Sequence, residues 1–305
     1  KQSSLSPRNA AAFIDAMAEP LRRNAFTVTS VRGDAVHGDV RFREDGRVKP
    51  VVVFCHGFKG FKDWGPFPEW GRRLAEAGFV SVLFNFSHNG VSPEEPTAFT
   101  ELDKFAENTF TRELDDLQAV IGAVADGQLA GVPVDVERIG LMGHSRGGGI
   151  AILQAARDRR VRALATWSAV AGLVERFTDE QIEDWETQGY TEVVNRRTGQ
   201  RMRLNRTLYD DALAHRDALD VRASAAKIDV PWLIVHARDD ESVPFDEAQA
   251  LAEVNPDAAL VEAEGGHTFG GGHPFEGPVP DALRAVWDRT TYFFETHLVK
   301  QATAW

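Results

Sequence analysis

Five short segments composed almost wholly of apolar residues, 51–55, 80–86, 139–142, 161–168 and 232–236, constrain this chain more than any other feature. A strand with one wet face alternates polar and apolar residues, whereas a strand covered on both faces does not. Between these runs lie stretches with helical spacing: 70–77, 106–125, a segment starting at Arg146, and 280–298. In 106–125, Phe110, Leu114, Leu117, Val120, Ile121 and Val124 share one face. With a further strand at 259–263, the alternation predicts an α/β fold: a mostly parallel sheet with helices on both faces. Residues 25–42 alternate and carry turn-like Arg32–Gly33–Asp34 and His37–Gly38–Asp39, which predicts an antiparallel strand pair at one edge. Phe13, Ile14, Met17 and Leu21 predict a helix over 10–23.

One segment breaks the alternation. Residues 172–226 are polar, charged and partly helical, and too long for an ordinary connection. They are expected to form an inserted cap or lid, with 1–171 and 227–305 making up a single core domain. The loop 87–105, rich in Pro and Glu, is a second expected rim element.

Composition narrows the partners. The chain has 305 residues and a net charge of −12, which argues against nucleic acid and against an anionic membrane surface. Its one basic run, 195–206, has the Gly and polar spacing of a solvated turn or hairpin. No apolar stretch approaches the length of a membrane span. Cys55 is the only cysteine, so no internal disulfide can form; its apolar strand makes it a buried hydrophobe. That usage suits a reducing cytoplasm, although a removed leader is compatible with a chain starting at Lys1. No cofactor is expected. Nor is a metal, because His267 and His273 have no carboxylate or Cys partner at ligand spacing.

The chemistry centres on Gly143, His144, Ser145, Arg146 and Gly147, which fit G-x-S-x-G directly after an apolar strand and directly before a helix. That context suits a nucleophile on a tight turn, where flanking glycines remove Cβ atoms that would clash. The helix N-terminus brings amide N–H groups and a positive dipole beside a developing oxyanion, and the Arg146 amide is the first expected donor. A serine hydroxyl needs a base, and the base an orienting carboxylate, in the chain order Ser, acid, His. Two loops at strand ends supply candidates: 237–244, holding Asp239 and Asp240, and 264–269, holding His267. His273, beyond Gly270–Gly271–Gly272, is a rival base.

Together, His56–Gly57–Phe58, Gly143 through Gly148, His236 through Pro244 and Gly265–Gly266–His267 resemble the α/β-hydrolase superfamily. The resemblance is to its dienelactone hydrolase and prolyl-oligopeptidase-like serine esterases, and covers the chain from about residue 50 onward. It implies the α/β-hydrolase fold, with Ser145 as nucleophile, His267 as base and Asp240 as acid. Ala237 stands where that family usually has Gly, so Asp239 stays an alternative acid. The resemblance also implies the Phe58 amide as the second oxyanion donor, with His56 stabilising its loop. His144 and His236 have structural readings. A dienelactone hydrolase proper would usually carry Cys at the nucleophile.

Trp64, Phe86, Trp167 and Trp185 are expected to line a substrate pocket, the alternative being ordinary packing. The expected function is a serine hydrolase cleaving carboxylic esters of short acyl or aromatic, cinnamoyl-like kind, with a small-molecule ester as partner. A peptidase or amidase of the same superfamily is the alternative, and a non-catalytic ligand-binding scaffold is a third reading.

Overall fold

The protein is described by a computed structural model covering residues 20–127 and 129–299. Among the described residues eight strands form one sheet: β1 Leu21–Thr29, β2 Ala35–Arg43, β3 Lys49–Cys55, β4 Val80–Phe84, β5 Val134–His144, β6 Val161–Trp167, β9 Trp232–Ala237 and β10 Ala259–Ala263. Their order is β1-β2-β4-β3-β5-β6-β9-β10. The β1–β2 and β2–β4 pairs are antiparallel and all the others parallel. The antiparallel pair expected from residues 25–42 therefore forms one edge of a mostly parallel sheet.

The missing alternation in the apolar runs has a direct cause. Along β3, Val51, Val53 and Cys55 enter one buried cluster, while Val52 and Phe54 enter another on the opposite face. The first cluster includes Leu114 and Leu117 of helix Phe110–Ala125 and Ile150 and Leu153 of helix Arg146–Ala155. The second includes Trp70 and Leu74 of helix Phe67–Glu76 and Leu283, Val286 and Trp287 of helix Asp281–Phe294. With helices on both faces, neither side of a central strand needs polar residues.

The helix expected over 10–23 is corrected where the structure describes it. Leu21, Arg22 and Arg23 belong to β1, which pairs with β2 from Leu21↔Arg43 to Thr29↔Ala35. Long-range pairing overrides the local spacing there. Residues 10–19 lie outside the described residues.

Between β6 and β9 the chain leaves the sheet. Helix Asp179–Thr187 starts with a reciprocal cap, in which Gln181 N donates to Thr178 Oγ1 (3.2 Å) and Thr178 N to Gln181 Oε1 (3.1 Å). Strands β7 Tyr190–Asn195 and β8 Gln200–Asn205 form a separate antiparallel hairpin, so the basic run is a hairpin with Arg201 and Arg203 exposed. The Trp185 indole N–H donates to Leu204 O at 2.8 Å and ties helix to hairpin. Helices Arg206–Ala214 and Val221–Ala225 lead back to the sheet.

Sheet topology positions the site. The chain runs from β3 outward to β4, then returns to β5 on the other side of β3. A reversal of this kind leaves a crevice at the carboxyl ends of the two central strands, between the loops that follow β3 and β5.

One buried carboxyl links helix Phe110–Ala125 to the loop after β4. Asp116 Oδ2 accepts from the Ser87 amide at 2.7 Å, while its other oxygen has no hydrogen-bond partner among the described residues. Burial pushes this carboxyl up to about 7. A carboxyl raised in the folded state contributes stability below its unfolded pKa of roughly 4, which is lost as pH rises through about 7. Asp116→Asn keeps an acceptor for Ser87 without the charge. Its thermal stability should exceed wild type by up to about 4 kcal/mol at pH 8, with the gap closing towards pH 4. Melting curves across that range check this, and a pH-independent gap would contradict it.

Candidate active site

Ser145 sits between the end of β5 and helix Arg146–Ala155 with φ +57° and ψ −123°. A side chain adopts positive φ at a cost of about 1–3 kcal/mol, so the surroundings must hold it there. Ser145 N donates to Trp167 O (2.9 Å), and Ser145 O accepts from Gly148 N (2.9 Å) and Val170 N (3.3 Å). The glycines are required by contact. A Cβ on Gly143 would lie 2.2 Å from Gly147 O, and one on Gly147 would lie 2.3 Å from His56 O.

The loop after β3 is pressed against this turn, since a Cβ on Gly57 would meet Ser145 Cβ at 2.9 Å. Neither the Phe58 nor the Arg146 amide donates to a protein acceptor among the described residues. His56 shapes the loop. Its Nε2 accepts from the Phe86 amide at 3.3 Å, which leaves the proton on Nδ1 to donate to Gly57 O at 2.9 Å. Burial holds the ring neutral by lowering its pKa to about 4.

The loops after β9 and β10 meet at the same end of the sheet. His267 lies in the 3₁₀ turn Gly266–Thr268, and its Nδ1 is 2.8 Å from Asp240 Oδ2. Asp240 Oδ1 accepts the amides of Ser242 (2.8 Å) and Val243 (2.9 Å). His236 Nε2 stands 3.4 Å from Asp240 Oδ2 while donating to Val243 O at 2.8 Å. Burial alone would raise this carboxyl. Hydrogen bonds from His236, His267 and Val243 outweigh it and hold the group well below the usual carboxylate range. Asp240 is thus an ionised carboxylate that accepts from His267 Nδ1–H.

Asp239, the alternative acid, accepts the amides of Gly265 (3.3 Å) and Gly266 (3.1 Å), so it braces the backbone of the histidine loop. His144 supports the same loop: its Nε2 donates to His267 O at 2.9 Å, and its ring lies 4.7 Å from the His267 ring. His273 is elsewhere. Its Nδ1 accepts from Gly65 N at 2.8 Å and its ring packs on Phe61 and Trp64.

Ser145 and His267 both line a cavity of about 390 Å³. Phe58, Phe110, Phe177 and Trp185 give it aromatic walls, and Leu173, Leu204 and Leu208 extend them. Ser145, His267 and Trp64 also line a side pocket of about 130 Å³. Two of the expected pocket residues belong to the core instead. The Phe86 ring packs edge-on against His56, centroids 5.0 Å apart, beneath the loop after β3. Trp167 donates to Thr290 Oγ1 at 2.9 Å and packs on Trp70 on the far face of the sheet. Trp167 ends β6 and Phe86 lies just past β4, and position at the end of an apolar run does not reveal which face a ring takes. Phe110, Phe177, Lys59 and Arg176 also line the cavity, and no sequence motif marks them for it. Aromatic content in 172–226 was the available signal for Phe177, as it was for Trp185.

The fold and site define an α/β-hydrolase type of protein. The chain belongs to the alpha/beta hydrolase family, whose model matches residues 52–286. An uncharacterized 31.7 kDa protein from the traX-finO intergenic region of Escherichia coli is 25% identical over 239 residues, covering 68% of this chain and 78% of that one. Among solved structures, the DcsB complex with its substrate analogue superposes with a TM-score of 0.69 at 18% identity, covering 90% of this chain and all of that one. Est1E from Butyrivibrio proteoclasticus, also solved with ferulic acid bound, superposes at 0.65. Its ferulic acid complex is 21% identical, covering 90% of this chain and 99% of that one.

The buried His144 gives a test of this arrangement. Burial lowers its pKa to about 3, so the unfolded chain takes up a proton near pH 6.5 that the folded one refuses. Its contribution to stability is whole above pH 6.5 and is lost as pH falls. His144→Gln keeps a donor for His267 O but cannot titrate. Between pH 5.5 and 4.5, roughly, the wild-type stability curve should be steeper than the variant's by about 1.4 kcal/mol per pH unit. Chemical denaturation at stepped pH measures the difference; parallel curves would remove the neutral, buried role of His144.

Proposed function

We propose that this protein is a serine hydrolase that cleaves carboxylic esters through an acyl-enzyme, with Ser145, His267 and Asp240 as its triad. The observation that carries this reading is the 2.8 Å bond between His267 Nδ1 and Asp240 Oδ2, made by a histidine that shares a cavity with Ser145. With its Nδ1 proton held by an ionised carboxylate, His267 offers Nε2 as a base towards the serine hydroxyl.

Ser145 Oγ attacks the ester carbonyl as His267 Nε2 takes its proton. Asp240 fixes the tautomer and stabilises the imidazolium that forms. The unengaged amides of Phe58 and Arg146 donate to the tetrahedral oxyanion. His267 returns its proton to the leaving alcohol, and water then repeats the sequence on the acyl-enzyme. The aromatic walls suit short acyl or aromatic esters, in keeping with the ferulic acid complex of Est1E. Residues 172–226 act as the cap, since Phe177, Gln181, Trp185, Leu204 and Leu208 from that segment line the cavity.

Ser145→Ala should lower kcat on a p-nitrophenyl acyl ester by about 10⁴-fold or more, with its melting temperature retained. Undiminished turnover would overturn the assignment. In the wild type, esters should be cleaved faster than N-blocked aminoacyl amides of matching acyl size, and the opposite order would favour a peptidase.

A further inference from the structure

The cavity above Ser145 has an unbalanced charge. Lys59, Arg146 and Arg176 line it, and among the described residues no Asp or Glu does, in a chain whose net charge is −12. Two of the three cations are answered from behind. The Arg146 guanidinium stacks 3.9 Å from the Phe58 ring centroid and lies 3.5 Å from Glu113 Oε1. Arg176 pairs with Glu247 and donates to Ser242 O at 2.9 Å.

Lys59 is different. Its Nζ donates to the Val194 carbonyl of the hairpin at 3.2 Å, and no carboxylate lies within ion-pair distance among the described residues. It is held beside the cavity by a backbone at φ +56°, in the loop that presents the Phe58 amide. Burial, then Arg196 and Arg146, disfavour its charged form, so the ammonium sits where an arriving anion would relieve the repulsion.

Resting on the esterase reading above, we propose that the substrate is an ester carrying an anionic group, a carboxylate or phosphate, remote from the scissile carbonyl, and that Lys59 selects it. The aromatic walls hold the apolar spacer between the two groups. Lys59 Nζ, with hydrogen-bonding capacity beyond Val194 O, takes the anion, and Arg146 and Arg176 add to the attractive field. Lys59 is a specificity residue in this scheme and takes no part in the proton transfers.

The test compares kcat/KM for monomethyl esters of glutaric, adipic and pimelic acids with neutral methyl esters of matching length, followed by pH-stat. Methyl 4-phosphonobutanoate forms a phosphonate arm that separates the two kinds of anion. Wild type should favour at least one anionic ester over its neutral match by about 10-fold or more, and added salt should erode the preference. Lys59→Met should lower that selectivity ratio about 10-fold, and Lys59→Arg should restore most of it. A wild-type ratio near one, or a ratio that Lys59→Met leaves unchanged, would overturn the proposal. Ser145-dependent turnover of the neutral esters checks the esterase reading separately. Calorimetric binding of adipate to Ser145→Ala, with and without Lys59→Met, tests the anion site without any turnover; equal affinity in the two proteins would also overturn it.

Discussion

The close approach of three backbone segments governs this structure. The end of β5, the first turn of helix Arg146–Ala155 and the loop after β3 meet with no room for Cβ atoms at Gly143 and Gly147. Ser145 can hold its positive φ because its N–H and carbonyl are engaged by Trp167, Gly148 and Val170. This packing sets the hydroxyl at the crevice, where the Phe58 and Arg146 amides have no protein acceptor among the described residues. A Cβ at either glycine would force apart backbone atoms, and side-chain movement cannot relieve such a clash.

A second layer of polar contacts fixes the histidine side of the site. Asp239 and Asp240 are neighbours in one loop with different work: one holds amides of the histidine loop, the other holds the ring. His144 and His236 brace the same region from β5 and β9. Burial keeps His56 and His144 neutral, so each offers one directed donor. These two buried histidines therefore stand near the serine without adding positive charge, while Lys59, Arg146 and Arg176 line the cavity.

Much of the architecture was legible in the chain because it is built from continuous patterns. Apolar runs became β3, β4, β5, β6 and β9, and helical spacing became helices on both faces. Leu21–Arg23 is strand despite its helical spacing, because so short a spacing cannot compete with a strand partner, Ala35–Arg43, a dozen or more residues away. For Phe86 and Trp167 the sequence leaves pocket and core packing both open, because an apolar residue at the end of an apolar run suits either. Their hydrogen-bonding and ring neighbours, His56 for one and Thr290 and Trp70 for the other, come from distant parts of the chain.

The sequence by itself determined the α/β alternation, the strand–turn–helix setting of Ser145, and loops at the ends of β9 and β10 rich in the right side chains. These are local, since glycine spacing and apolar periodicity act over a few residues. Only the tertiary structure decided which of two adjacent aspartates faces His267, where His273 goes, and which aromatic rings border the cavity. It also decided that Lys59 stands there with the Val194 carbonyl and, among the described residues, no carboxylate partner. Those outcomes depend on which strand ends and which parts of 172–226 are brought together, and no local spacing encodes that contact.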